Sequence, residues 1–146
     1  MRLALLITVL ISTYCYCIVT VNIKVHGKLN CSSGPFGFSV VLWEDDDRND
    51  DFVNETHVDE AVSSASYHVE GKAFDGWFES NVEPLLTIEH TCGTKHACIC
   101  HEFGAVSSDQ DFPYSLELDN NGEHSCSACV VAQKRRQDRD RKHANE

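Results

Sequence analysis

The residues best suited to chemistry crowd one short span: His90, Cys92, His96, Cys98, Cys100 and His101. Imidazole together with thiolate suits zinc or copper. The spacing is not the usual C-x₂₋₄-C pair of a structural zinc site, and an oxidising compartment would turn the same thiols into disulfides. A secreted zinc- or copper-binding hairpin over His90–His101 is therefore the alternative reading, with disulfides and surface histidines as the primary one. Cys126-Ser127-Ala128-Cys129 has the spacing of a redox pair. It lacks the strand-to-helix setting that lowers a thiol pKa, so it reads as a structural bridge. The run Glu44 to Asp51 offers oxygens to calcium through Asp45, Asp47 and Asp51. Without the glycine and closing glutamate of an EF-hand, it reads as a solvated loop between strands.

The elements that must position these groups are strands. In Glu83 to Cys92, Pro84 can open a strand, and Leu86, Ile88, His90 and Cys92 then alternate with Thr87, Glu89 and Thr91. That period of two predicts a half-buried strand with a polar outer face. A Gly-Thr-Lys turn follows, and Cys98 to Phe103 returns beside it. Upstream, Val21, Ile23, Val25, Gly27 and Leu29 alternate with polar residues. Phe36 to Trp43 has apolar residues on both faces, as a central strand would. Phe52 to Val58 and Ser66 to Glu70 are shorter candidates, and Phe112, Tyr114, Leu116 and Leu118 mark a last strand. Residues 71–82 read as irregular, with Phe74, Trp77 and Phe78 as core cover, or alternatively as the lining of a surface groove. About seven short strands, turn signals between them and no amphipathic helix predict an all-β fold, an antiparallel two-sheet β-sandwich stapled by disulfides.

The N-terminus sets the compartment. Met1-Arg2, the apolar run Leu3 to Ile11 and a cut after Cys17 have the form of a signal peptide, residues 1–17. The run is too short for a transmembrane helix, which needs about 20 apolar residues, so none is expected in the mature chain. Six cysteines remain: Cys31, Cys92, Cys98, Cys100, Cys126 and Cys129. An even set in a secreted domain implies a disulfide framework whose connectivity is open. Asn30-Cys31-Ser32 and Asn54-Glu55-Thr56 are glycosylation sequons, with Asn54, read as lying in a polar loop, the better placed. The formal charge of −11 is uneven, because the basic residues cluster in the tail from Lys134 to Lys142. An acidic body repels phosphate, which argues against a nucleic-acid role. One domain over 18–130 and a charged, disordered tail over 131–146 complete the organisation.

Several of these segments resemble the nematode transthyretin-like family. Val25-His26-Gly27-Lys28-Leu29-Asn30-Cys31 is similar to its opening "VxGxLxC" strand. Val40 to Asp45 is similar to its second strand, and Glu83 to Cys92 to its "DPxLxIxHxC" segment. The resemblance spans roughly residues 20 to 126 and implies a secreted prealbumin-like sandwich. If successive strands alternate in direction, the first and fifth finish at one end, which would pair Cys31 with Cys92 and send Cys98 to the Cys126/Cys129 region. A direct Cys92–Cys98 clasp is the rival. Hydroxyisourate hydrolases share the prealbumin-like fold, but their terminal Tyr-Arg-Gly-Ser segment is missing here. The expectation is a non-enzymatic extracellular binding or adaptor module without a cofactor, whose partner is an extracellular protein or a lipid surface.

Overall fold

The computed structural model describes residues 19–45, 50–74, 81–93, 96–119, 121–123 and 125–128. The signal-peptide segment, Asp47, Trp77, Phe78, Cys129 and the charged tail lie outside the described residues. The described residues form eight strands: β1 (Thr20–Asn30), β2 (Phe36–Glu44), β3 (Asp51–Ala61), β4 (Ser64–Phe74), β5 (Pro84–His90), β6 (Ala97–Glu102), β7 (Gln110–Pro113) and β8 (Leu116–Glu117). A 3₁₀ turn, Cys126–Ala128, follows. One sheet has the order β4-β1-β7, with β8 also pairing β1, and the other has the order β3-β2-β5-β6. The fold is an all-β sandwich.

Alternation builds the core. Val21, Ile23, Val25 and Leu29 of β1 are buried to 1 % exposure or less and meet Val40, Leu42, Leu86 and Ile88 of the facing sheet. β2 is central and buried on both faces, as its sequence predicts. Val41 and Trp43 lie with Leu85 in a second, smaller cluster on the outer side of that sheet. That cluster corrects the expectation of a polar outer face on β5, because Leu85 and Thr87 are both buried. Thr87 is accommodated because its Oγ1 accepts the Trp43 Nε1–H at 3.0 Å, so neither polar group is stranded.

The β1 sheet is mixed, not wholly antiparallel. β4 runs antiparallel to β1, whereas β7 and β8 run parallel to it. Alternation of direction from β1 to β7 makes the seventh strand parallel to the first, and β8 continues in the same direction as β7. β7 and β8 keep one register along β1, with His26 opposite Pro113 and Leu29 opposite Leu116. Between them the Tyr114 carbonyl turns onto Gly27, where an added Cβ would lie 1.7 Å from that oxygen. The glycine of the first strand is thus a close-approach position.

Two further elements differ from expectation. β4 extends past Glu70 to Phe74, because all eleven of its residues pair with β1 and backbone groups at depth need partners. The extension places Ala73 inward and leaves Phe74 58 % exposed, so Phe74 is not core cover. On the opposite flank, aromatic pairs join the two sheets. Phe103 stacks on Phe112 at 4.3 Å and His101 on Tyr114 at 4.1 Å.

Candidate functional site

Sulfur organises one end of the sandwich. β1 and β5 point the same way in facing sheets, so Cys31 and Cys92, just beyond them, meet in a disulfide with Cα atoms 5.7 Å apart. Asp119, reached by the chain after β8, caps the adjoining turn. Its carboxylate accepts the Ser33 hydroxyl at 2.6 Å and the Ser32 and Ser33 amides at 2.7 and 3.0 Å. Those hydrogen bonds, the Ser33 hydroxyl first, hold its pKa down at about 2.

The second bridge joins Cys98 of β6 to Cys126, with Cα atoms 5.3 Å apart. The chain between them is also laced to β6, since Cys98 and Glu123 exchange backbone hydrogen bonds at 2.6 and 2.8 Å. Gly122 permits this with a φ of 100°, and a Cβ there would stand 2.7 Å from the Cys98 carbonyl oxygen. Cys100, two residues along β6, is disulfide-bonded as well. Its sulfur lies within 4.8 Å of those of Cys98 and Cys126. A groove of about 480 Å³ runs beside this cluster, lined by Ile99, Cys100, Leu116 and Glu123 among others.

The histidines of the hairpin are divided among different environments. His90 is buried, with Nε2 3.1 Å from the Asn121 carbonyl and Nδ1 accepting the Cys92 amide at 3.2 Å. These partners assign the neutral tautomer protonated at Nε2, and burial lowers its pKa below the ordinary 6.5. His101 is committed to its stack on Tyr114, and His96 is exposed. Cys92 and Cys98 are bound to Cys31 and Cys126 and not to each other. Among the described residues, the two groups with metal-ligand spacing, Cys98/Cys100/Cys126 and Cys31/Cys92/Asp119, owe that proximity to disulfides.

The acidic loop contains a feature that composition did not reveal. Of the three aspartates weighed for calcium, Asp51 opens β3 opposite Glu44, Asp45 is partly exposed and Asp47 lies outside the described residues. Among the described residues, the buried acids are instead Glu44 and Asp50, each 2 % exposed. Burial, a hydrogen bond with Asp50 and the charges of Asp50, Glu102 and Glu83 push the Asp45 carboxyl up to about 6. No sequence signal singles out Asp50 in a run of acids, because its burial comes from the β2–β3 connection.

The sequons also acquire places. Asn54 lies on edge strand β3, not in a loop, and its side-chain amide donates to the Glu70 carbonyl of β4 at 2.7 Å. Asn30 donates to the Glu117 carboxylate at 2.7 Å and precedes the bridged Cys31.

Among the described residues, three exposed histidine–carboxylate contacts went unread in the sequence: His26–Asp111 at 2.9 Å, His57–Asp59 at 2.9 Å and His68–Glu70 at 3.0 Å. The last two follow from period-two spacing on a strand and were legible. The first joins β1 to β7 and was not. Comparison of the chain with protein-family models, with characterised proteins and with solved structures finds no match.

Proposed function

We propose that this chain is a secreted, non-enzymatic extracellular binding or adaptor module of the transthyretin-like kind. The observation that carries the reading is the sulfur framework: all five described cysteines are in disulfides. Such bonds persist in an oxidising compartment, and a secretory route is the ordinary way there. The resemblance of the β1, β2 and β5 segments to the transthyretin-like family is supported by their roles here. The glycine of the first motif receives a backbone carbonyl, and the cysteines ending the first and third motifs form one bridge.

Charge indicates the kind of partner. The lysines of the described residues, Lys24, Lys28 and Lys72, alternate with buried residues and so lie on the outer face of the β4-β1-β7 sheet. The outer positions of the other sheet carry Glu55, Glu89 and Glu102. That acidic face favours a basic extracellular protein surface over an anionic lipid headgroup. The test is expression of the full chain in a secretory host. Recovery from the medium without residues 1–17, with its cysteines resistant to alkylation until reduced and with no turnover of hydroxyisourate, is the expected result. Retention inside the cell with free thiols overturns the extracellular assignment, and hydroxyisourate turnover overturns the non-enzymatic one.

A further inference from the structure

The exposed face of the β4-β1-β7 sheet carries a pair that no comparison or motif assigns. In the antiparallel register of β1 with β4, His26 stands directly opposite His68. Directly opposed residues project from the same side of a sheet with Cβ atoms about 4.5–5.5 Å apart. That separation lets two imidazoles close on one ion at about 2.0–2.1 Å from each nitrogen. Both side chains are accessible, at 43 % and 50 % exposure, so closure requires only rotation of the rings.

Each ring already has one nitrogen beside a carboxylate. Asp111 Oδ1, from β7, lies 2.9 Å from His26 Nδ1, and Glu70 Oε2 lies 3.0 Å from His68 Nε2. The His26 approach is a charge contact and not a hydrogen bond, since its Nδ1 is buried without a hydrogen-bond partner, and the second nitrogen of each ring is left to face a metal. The uncommitted pair is His26 Nε2 and His68 Nδ1. Lys24, whose Nζ is 3.4 Å from Asp111 Oδ2, offsets part of the negative charge beside the rings. Mixed nitrogen and oxygen donors on an open sheet face match the tetragonal preference of copper(II), which also binds nitrogen and oxygen sites more strongly than zinc.

We infer that the opposed His26 and His68 form a copper(II)-binding site on the outer face of the β4-β1-β7 sheet, flanked by the carboxylates of Asp111 and Glu70. It is separate from the disulfide-bearing hairpin and does not depend on the proposed extracellular role.

The probe is copper(II) chloride added to the chelator-stripped, disulfide-intact chain. Electron paramagnetic resonance should report one copper per chain with two nitrogen ligands. His26→Gln or His68→Gln should each reduce the nitrogen count by one and weaken binding by at least about tenfold, and Asp111→Asn should weaken it by a similar factor. His57→Gln, which removes another exposed histidine–carboxylate pair, should change nothing. A second readout needs no variant: in the parent protein, copper should broaden the imidazole proton resonances of His26 and His68 before those of other histidines. Unchanged binding in both the His26 and His68 variants, loss confined to His57→Gln, or first broadening at other histidines overturns the assignment.

Discussion

Replacing Asp45 by asparagine should stabilise the protein at neutral pH, although it removes a charged residue from a partly exposed loop. In the native state, burial and the neighbouring Asp50, Glu102 and Glu83 raise the Asp45 pKa from 3.8 to about 6. In the unfolded chain those neighbours disperse and the carboxyl titrates near its ordinary value. Between these two values the native state holds a proton that the unfolded state has released, so stability falls as pH rises from about 4 to about 6. Above that window the ionised group costs the native state up to about 3 kcal/mol by the full displacement. Asp45 is partly exposed, and solvent screening reduces the expected cost to about 1 kcal/mol. Asparagine keeps the size and a hydrogen bond to Asp50 but cannot ionise. Asp45→Asn should therefore be more stable than the parent by about 1 kcal/mol at pH 7–8, with the difference shrinking towards pH 4. Urea unfolding at a series of pH values, with EDTA present, measures it. The difference between variant and parent is the quantity to read, because buried His90, whose pKa is lowered, works in the opposite sense and loses stability below its ordinary 6.5. A variant less stable than the parent at pH 8, or a difference that grows towards pH 4, refutes the account of this carboxyl cluster.

Removing the Cys31–Cys92 bridge, which spans 61 residues, by a double alanine substitution should cost about 4 kcal/mol from loop-closure entropy alone. In a domain of this size that lowers Tm by about 15 °C, readable by calorimetry. Asp119→Asn should lose the hydrogen bonds that hold the Ser32–Ser33 turn and abolish one component of acid sensitivity. With a native pKa of about 2 against 3.8, Asp119 contributes stability above about pH 4 that is lost as pH falls towards 2, so the variant's acid unfolding curve should be flatter there. Gly27→Ala drives a Cβ into the Tyr114 carbonyl oxygen at 1.7 Å and should cost about 3 kcal/mol or more, measured by urea unfolding.

What could be read from the sequence depended on whether the signal was local. The alternation in β1 and β2 specifies which side chains face inward, because side-chain direction on a strand has a period of two whatever the partner strand. It fails for β5, where Thr87 and Leu85 look like an ordinary outer face but are buried beside Trp43, a residue more than forty positions away. Phe74 was misread for the converse reason. Its apolar character suggested burial, while the continued pairing of β4 with β1 turns it outward.

The amino-acid sequence by itself determined the class of fold, the presence of most strands and the number of sulfurs available to bridge, since each follows from composition and spacing along the chain. Only the tertiary structure decided which sulfurs meet, that the seventh strand lies parallel to the first, and that His26 faces both His68 and Asp111. It also decided that Asp45 shares a crowded corner with Glu83 and Glu102. These are relations between residues far apart in the chain. They are set by how two twisted sheets must stack to bury their inner faces, and no local pattern encodes that stacking.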